Sequence, residues 1–191
     1  MVKMHIAIEG FDGTGKTTLA KNLAKKLEFE YIQKPMSYIL GDESYLKAAK
    51  YINATQNELM RALFYSCGNV YALNNFEKIV TDRHLLSSFF YNYSELTKEL
   101  YDFLNSTLRK PDLTVLLYCD NKVRKERIIK RNPQDKDIER VDLFNMDDFK
   151  RMQDFLEENN YNFIVIDTSN SSEEEIVAEI IKAMNKKGCL L

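Results

Sequence analysis

The run Gly10-Phe11-Asp12-Gly13-Thr14-Gly15-Lys16-Thr17 has the residue types and spacing G-x-x-x-x-G-K-[ST]. Its glycines let successive backbone N–H groups turn toward one anion at the start of a helix. Lys16 then reaches the β- and γ-phosphates of a nucleotide, and the Thr17 hydroxyl can ligate magnesium. The chemistry expected of Gly10, Asp12, Gly13, Thr14, Gly15, Lys16, Thr17 and Thr18 is therefore binding of ATP with Mg2+ and transfer of its terminal phosphoryl group. Kinases, ATPases and GTP-dependent switches all use such a loop, so a second constellation must choose among them.

Asp82-Arg83 ends a strand-like run, Lys78 to Asp82. In open parallel sheets ligands bind beyond the carboxyl ends of the strands. There Asp82 can steady the shell of a magnesium ion, and the Arg83 fork can grip a phosphate. A structural ion pair at a strand end is the plainer reading. Arg127, Lys130, Arg131, Lys136 and Arg140 are available to face the negative charge that spreads over a transferring phosphoryl group. Position 13 is glycine, so the loop itself carries no arginine. Without such a task the basic stretch is a solvated helix face.

Elements that could position these residues follow from periodicity. Met4 to Glu9 reads as a strand, and Leu19, Leu23, Ala24 and Leu27 recur at helical spacing after the loop. Further strands are expected at Phe29 to Gln33, Lys78 to Asp82, Leu113 to Cys119 and Phe163 to Asp167. Helices are expected at Glu43 to Tyr51, Gln56 to Phe76, Lys122 to Arg131, near Asp147 to Glu158, and at about Glu173 to Lys186. Strands alternating with helices imply an α/β fold, a doubly wound parallel five-stranded sheet in a single domain.

Composition agrees with one soluble domain. The chain has 191 residues, 45% apolar and 29% charged, with a formal charge of −2. That balance supplies no general attraction to nucleic acid or to an anionic membrane. No apolar run reaches the roughly 18 residues that span a bilayer. Cys67, Cys119 and Cys189 form no CxxC spacing, and reduced, buried thiols in a cytoplasmic protein are expected. The end Cys189-Leu190-Leu191 is too short for a prenylation box.

Three segments together resemble the thymidylate kinase family of P-loop nucleoside-monophosphate kinases. They are Ile8-Glu9-Gly10-Phe11-Asp12-Gly13-Thr14-Gly15-Lys16-Thr17-Thr18, Thr81-Asp82-Arg83-His84-Leu85-Leu86-Ser87-Ser88 with Tyr91, and Pro111-Asp112-Leu113. Arg127, Arg131, Arg140 and Val165-Ile166-Asp167-Thr168-Ser169 extend the resemblance over nearly the whole chain. It implies phosphoryl transfer from ATP to a deoxynucleoside monophosphate, dTMP to dTDP. Asp12 would contact the 3′-hydroxyl of the sugar, and Arg83 the acceptor phosphate. Phe64 would stack on the acceptor base, with Ser88 and Tyr91 facing the base and the 2′ side of the sugar. A lid at about 130–142 would bring Arg131 and Arg140 over the reacting phosphates, and the protein would be a homodimer through its long central helices.

Some positions depart from the family. Gly68 stands where an arginine usually follows the stacking phenylalanine, and Pro35-Met36-Ser37 replaces a glycine-rich segment. The arginine of the next helix is missing, leaving Lys47 or Lys50, and only Asn69, Ser66 and Ser88 remain to read a base edge. Relaxed base choice is the expectation. Among alternatives, a deoxynucleoside kinase would need a general base for a 5′-hydroxyl, but Lys34 stands where that relative keeps a glutamate. A GTP switch would need Asn-Lys-x-Asp, and this chain has Asn121-Lys122-Val123-Arg124. A silent nucleotide-binding relative is the third alternative. His84 is expected to cap or pack, and Cys67 to be a small buried apolar residue.

Overall fold

The computed structural model describes residues 3–186, so the Cys189 end lies outside the described residues. Five strands, β1 (Met4–Gly10), β2 (Glu30–Ile32), β3 (Lys78–Asp82), β4 (Leu113–Tyr118) and β5 (Phe163–Asp167), form one sheet. Their order is β2-β3-β1-β4-β5, and every pairing is parallel. The expected fold class is thus the observed one. β4 is apolar almost without interruption because both of its faces are covered; Leu113, Val115, Leu116 and Leu117 are fully buried.

Helix α1 (Lys16–Leu27) and the last helix, α10 (Glu173–Lys186), cover one face of the sheet. Leu19, Ala20 and Leu23 of α1 and Ile176, Val177 and Ile180 of α10 pack there against Ile6, Ile8 and Val115. On the opposite face Leu116 meets Leu86 and the apolar stripe Phe149, Met152, Phe155 and Leu156 of α9 (Met146–Glu158). The start of α9 is fixed by a reciprocal capping box between Asn145 and Asp148.

The remaining helices are α2 (Ser37–Leu40), α3 (Asp42–Ala54), α4 (Glu58–Asn75), α5 (Leu85–Asn92), α6 (Lys98–Thr107), α7 (Asn121–Arg131) and α8 (Asp137–Arg140). Four of these, α2, α5, α6 and α8, are additions to the elements expected from periodicity. α5 has no polar face to reveal it, since Leu85, Leu86, Ser87, Ser88 and Asn92 are all buried. Around Tyr101 and Leu104, by contrast, α6 does bear a legible stripe.

β1 and β3 lie side by side, and the chain leaves them toward opposite edges of the sheet. Their carboxyl ends open the crevice at which such sheets bind ligands. Gly10 ends the first of these strands and Asp12 follows it, and Arg83 follows the second.

Candidate active site

One cleft, about 1290 Å³, occupies this crevice, and its lining includes Asp12, Gly13, Thr14, Gly15, Lys16, Thr17 and Thr18. Gly10 adopts φ 136° and Gly13 φ 85°. A Cβ on Gly10 would lie 2.6 Å from the Leu117 carbonyl, and one on Gly13 2.8 Å from the Arg124 carbonyl. The loop can therefore sit this close to β4 and α7 only with glycine at both positions. Gly15, at φ 93°, caps α1, so Lys16 and Thr17 occupy its first turn. Lys16 Nζ donates to the Phe11 carbonyl at 2.6 Å, and Thr14 Oγ1 donates to the same oxygen at 2.9 Å. Burial, with Arg83 nearby, lowers the Lys16 ammonium to about 7.

Thr17 Oγ1 donates to Asp82 Oδ2 at 2.5 Å, and Gln33 Nε2 donates to the same oxygen at 3.2 Å. A hydroxyl and a carboxylate thus meet at the mouth of the loop. That pair fits Mg2+, which uses one or two protein oxygens and completes its shell with water and substrate phosphates. The described residues contain no cluster of three or more His, Cys, Asp or Glu for an all-protein cage.

Arg83 stands at φ 75°, a left-handed conformation uncommon outside glycine. Its Nη1 donates to the Gly10 carbonyl at 3.1 Å and to Ser87 Oγ at 3.0 Å, and its Nη2 donates to the Asp12 carboxylate. The guanidinium also lies 5.3 Å from the centre of the Tyr91 ring. Although burial works to raise it, the Asp12 carboxyl is held below its ordinary value by Arg83 and Lys16. Beneath this group, buried Glu9 accepts from the backbone of His84 and Ser87.

On the outer side of Arg83 the cleft is lined by Lys34, Tyr45, Arg61, Phe64, Asn69, Ser88 and Tyr91. Phe64 therefore faces the cavity, with Tyr45 stacked beside it at 6.1 Å and 22°. Asn69 Nδ2 donates to Ser88 Oγ at 3.1 Å, while Ser66, also considered for the base edge, is buried outside the lining. Lys47 is exposed and paired with Glu43 at 2.7 Å, and neither it nor Lys50 lines the cleft. Beyond Arg83, Lys34 and Arg61 are the cations that line it on this side. Gly68 has a packing reason: a Cβ there would lie 2.8 Å from Pro35 Cγ. Gly68→Arg is accordingly expected to displace the Pro35-Met36 segment and lower the melting temperature by several degrees, since overpacking costs typically 1–3 kcal/mol. Thermal unfolding of the variant checks this. Cys67 is exposed, contrary to expectation, because it lies on the outer side of α4. Cys119 is buried.

Across the cleft Arg127, Arg131 and Arg140 line the opposite wall, whereas Lys130 and Lys136 are exposed outside it. Arg127 is tied back by donating to the Thr168 carbonyl at 2.6 Å. Arg131, the last residue of α7, pairs with Asp135 and, at 3.5 Å, with Asp137, so two acids of the following segment fold back onto it. Arg124, passed over in the sequence, is almost wholly buried and donates from Nε to the Asp12 carbonyl at 2.9 Å. It thereby ties α7 to the phosphate loop. The cue available was its helical spacing with Ile128, which places both residues on the inward face.

The sequence profile for thymidylate kinase matches residues 8–180. The chain belongs to the thymidylate kinase family. A probable thymidylate kinase of Methanocaldococcus jannaschii is 32% identical, the match covering 93% of this chain and 94% of the relative. One from Methanococcus maripaludis is 30% identical, with 95% of each covered. Among solved structures, Candida albicans thymidylate kinase superposes with a TM-score of 0.65 at 18% identity, covering 97% of this chain and 93% of that one. Deoxyadenosine kinase from M. mycoides with bound dATP gives 0.60 at 22%, covering 95% and 100%. At these identities the two structural likenesses show the P-loop kinase fold and nothing finer.

Relative to the thymidylate kinase pattern, His84 is a packing residue. Its ring lies edge-on to His5 with centroids 4.7 Å apart, and it makes no side-chain cap to α5. Burial lowers His84 to about 4 and His5 well below its ordinary value. His5 Nδ1 and His84 Nε2 have no hydrogen-bond partner among the described residues. Between about 6.5 and about 4 the unfolded chain therefore binds more protons than the folded one, and stability is lost as the pH falls through that window. Melting temperatures from pH 7 to pH 4 should fall more steeply in the wild type than in His84→Phe.

Proposed function

We propose that this protein is an ATP- and Mg2+-dependent kinase that converts dTMP to dTDP. The observation that carries the reading is the meeting of the phosphate loop with Arg83 and Asp12 in one crevice, with Phe64 on its outer wall. A monophosphate acceptor is already ionised and needs cations rather than a base. Two of the cleft's carboxylates are engaged, Asp12 with Arg83 and Lys16, Asp82 with Thr17 and Gln33. The remaining one, Glu173, lines the cleft at the first turn of α10, on the opposite face of the sheet from Phe64. Lys34, not a carboxylate, lines the acceptor side, which disfavours direct attack by a nucleoside hydroxyl.

In this mechanism the backbone N–H groups of 13–17 cradle the donor phosphates, and Lys16 leaves the Phe11 carbonyl to bind their outer oxygens. Thr17 and Asp82 would hold Mg2+, which neutralises and orients the phosphates when bound. Arg83 exchanges Asp12 for the acceptor phosphate, and Asp12 becomes free to accept from the 3′-hydroxyl. Phe64 stacks on the base and Tyr91 backs the sugar, while Arg131 and Arg140 close over the developing charge. Removal of either should lower kcat and kcat/KM together, as for an interaction made only in the transition state.

The base edge is left to Asn69 and Ser88, since Gly68 offers no long donor. A shelf of stacking aromatics tolerates any base, so at least one other deoxynucleoside monophosphate should be phosphorylated at a rate comparable to dTMP. The deciding experiment measures kcat/KM for the four deoxynucleoside monophosphates and for thymidine. A better rate on thymidine than on dTMP would overturn the reading. A preference for dTMP on the order of a thousandfold over every other monophosphate would overturn only the base-edge part. A cytoplasmic homodimer belongs to the same proposal, supported by exposed Leu63 on α4 and Phe103 on α6. Among the described residues no helix is long and apolar enough to cross a membrane.

A further inference from the structure

We propose that Glu9 and Ser87 form a buried relay that aims the Arg83 guanidinium, making Glu9 a positioning residue of the kinase. The inference rests on the assignment of Arg83 to the acceptor phosphate. Glu9 and Ser87 are 1% and 4% exposed, and of the two Ser87 lines the cleft while Glu9 lies behind it. Glu9 Oε1 accepts from the backbone N–H of His84 at 2.9 Å and of Ser87 at 3.3 Å. Glu9 Oε2 accepts from the Ser87 hydroxyl.

A hydroxyl has one proton. With that proton committed to Glu9, Ser87 Oγ can only accept, and what it accepts is Arg83 Nη1 at 3.0 Å. A guanidinium has no acceptor, so a serine proton turned the other way would oppose it. The carboxylate thus sets the polarity of the hydroxyl, and the hydroxyl sets the plane of the fork. Its backbone contacts serve the same end. Arg83 sits at φ 75°, and the chain on either side is held by Arg83 N donating to the Ile8 carbonyl at 2.9 Å and by His84 N donating to Glu9. Such a conformation persists only where its surroundings over-determine it. Asp12, the remaining partner, is the one a phosphate can replace; the Gly10 carbonyl and Ser87 Oγ are neutral and stay in place.

In Glu9→Gln the amide Nε2 would donate toward Ser87 Oγ, turning the serine proton toward Arg83. Ser87→Ala removes the same acceptor outright. Both variants, the double variant and Arg83→Ala should be assayed with dTMP and ATP varied separately, alongside thermal melts. The relay requires acceptor kcat/KM to fall about 10- to 100-fold in each single variant, as for a lost bond to a charged group, with KM for ATP unchanged. It also requires the double variant to be no worse than the worse single one. Additive losses, equal damage to ATP binding, or full activity in Ser87→Ala would overturn it, and Ser87→Ala decides the matter even if Glu9→Gln does not fold. Unchanged acceptor kinetics in Arg83→Ala would overturn the acceptor-phosphate assignment, and the relay with it.

Discussion

Lys16→Ala is expected to lower kcat by about 10²- to 10³-fold, the loss typical for one preorganised donor at a site of developing charge, while leaving the fold intact. In the free protein the ammonium donates to the Phe11 carbonyl, and its burial, together with the nearby Arg83 cation, lowers it to about 7. The fold therefore disfavours the charged form of this lysine. The unfolded chain keeps its lysine charged up to about 10.5, so between about 7 and 10.5 the unfolded state holds more protons and wild-type stability rises with pH. Alanine removes that slope, and its melting temperature at pH 7 should equal or exceed that of the wild type. The same lysine becomes fully charged against nucleotide phosphates. ATP binding at pH 8 should therefore take up protons, measurable by calorimetry in buffers of different ionisation enthalpy, and the uptake should shrink in Lys16→Ala. Unchanged turnover would remove the phosphotransferase assignment.

The strands and the loop were legible because their signals are local. β3 and β5 carry apolar runs bounded as expected, and the glycine pattern is demanded by backbone approach at Gly10 and Gly13. What was not legible depends on contacts between distant segments. Gly68 read as a missing arginine, yet its smallness is what lets α4 pack on Pro35. Cys67, one residue earlier, faces outward for the same reason of helix phase. Lys47 and Lys50 are the cations on the helix where the resemblance expects an arginine, but α3 turns both to solvent and presents Tyr45 instead.

The site shows the same division. Asp12, Lys16, Thr17, Asp82, Arg83, Phe64, Ser88, Tyr91, Arg131 and Arg140 all line one cleft, brought there by the ends of β1 and β3 and by α1, α4, α5, α7 and α8. Glu9 and Ser87 give no cue to their role because a buried polar residue on a strand or an all-buried helix stands out from no pattern, and the spacing of Arg124 with Ile128 shows burial without showing its partner. Each became visible only through partners far away in sequence, Glu9 through His84 and Ser87, Arg124 through the Asp12 carbonyl.

Arg83→Ala should cut kcat/KM for dTMP by about 10²- to 10³-fold, mostly through KM, with KM for ATP little changed. The direction follows from where the fork lies: Nη2 on Asp12, Nη1 on the Gly10 carbonyl, and the ring of Tyr91 against its face. Lysine at this position should recover little. A point charge on a flexible stem cannot make the two parallel bonds of a guanidinium, and it would leave Ser87 Oγ and the Gly10 carbonyl competing for one ammonium. Removing Arg83 should also reach Lys16, because Arg83 is the second cause, after burial, of its lowered pKa. With that cation gone and Asp12 left to pair with Lys16 alone, now 3.9 Å away, the ammonium stays protonated to higher pH. Proton uptake on ATP binding at pH 8 should then be smaller in Arg83→Ala than in the wild type, even though ATP affinity barely moves. A variant with normal dTMP kinetics, or one whose ATP and dTMP constants worsen equally, would show that Arg83 braces the loop and does not hold the acceptor.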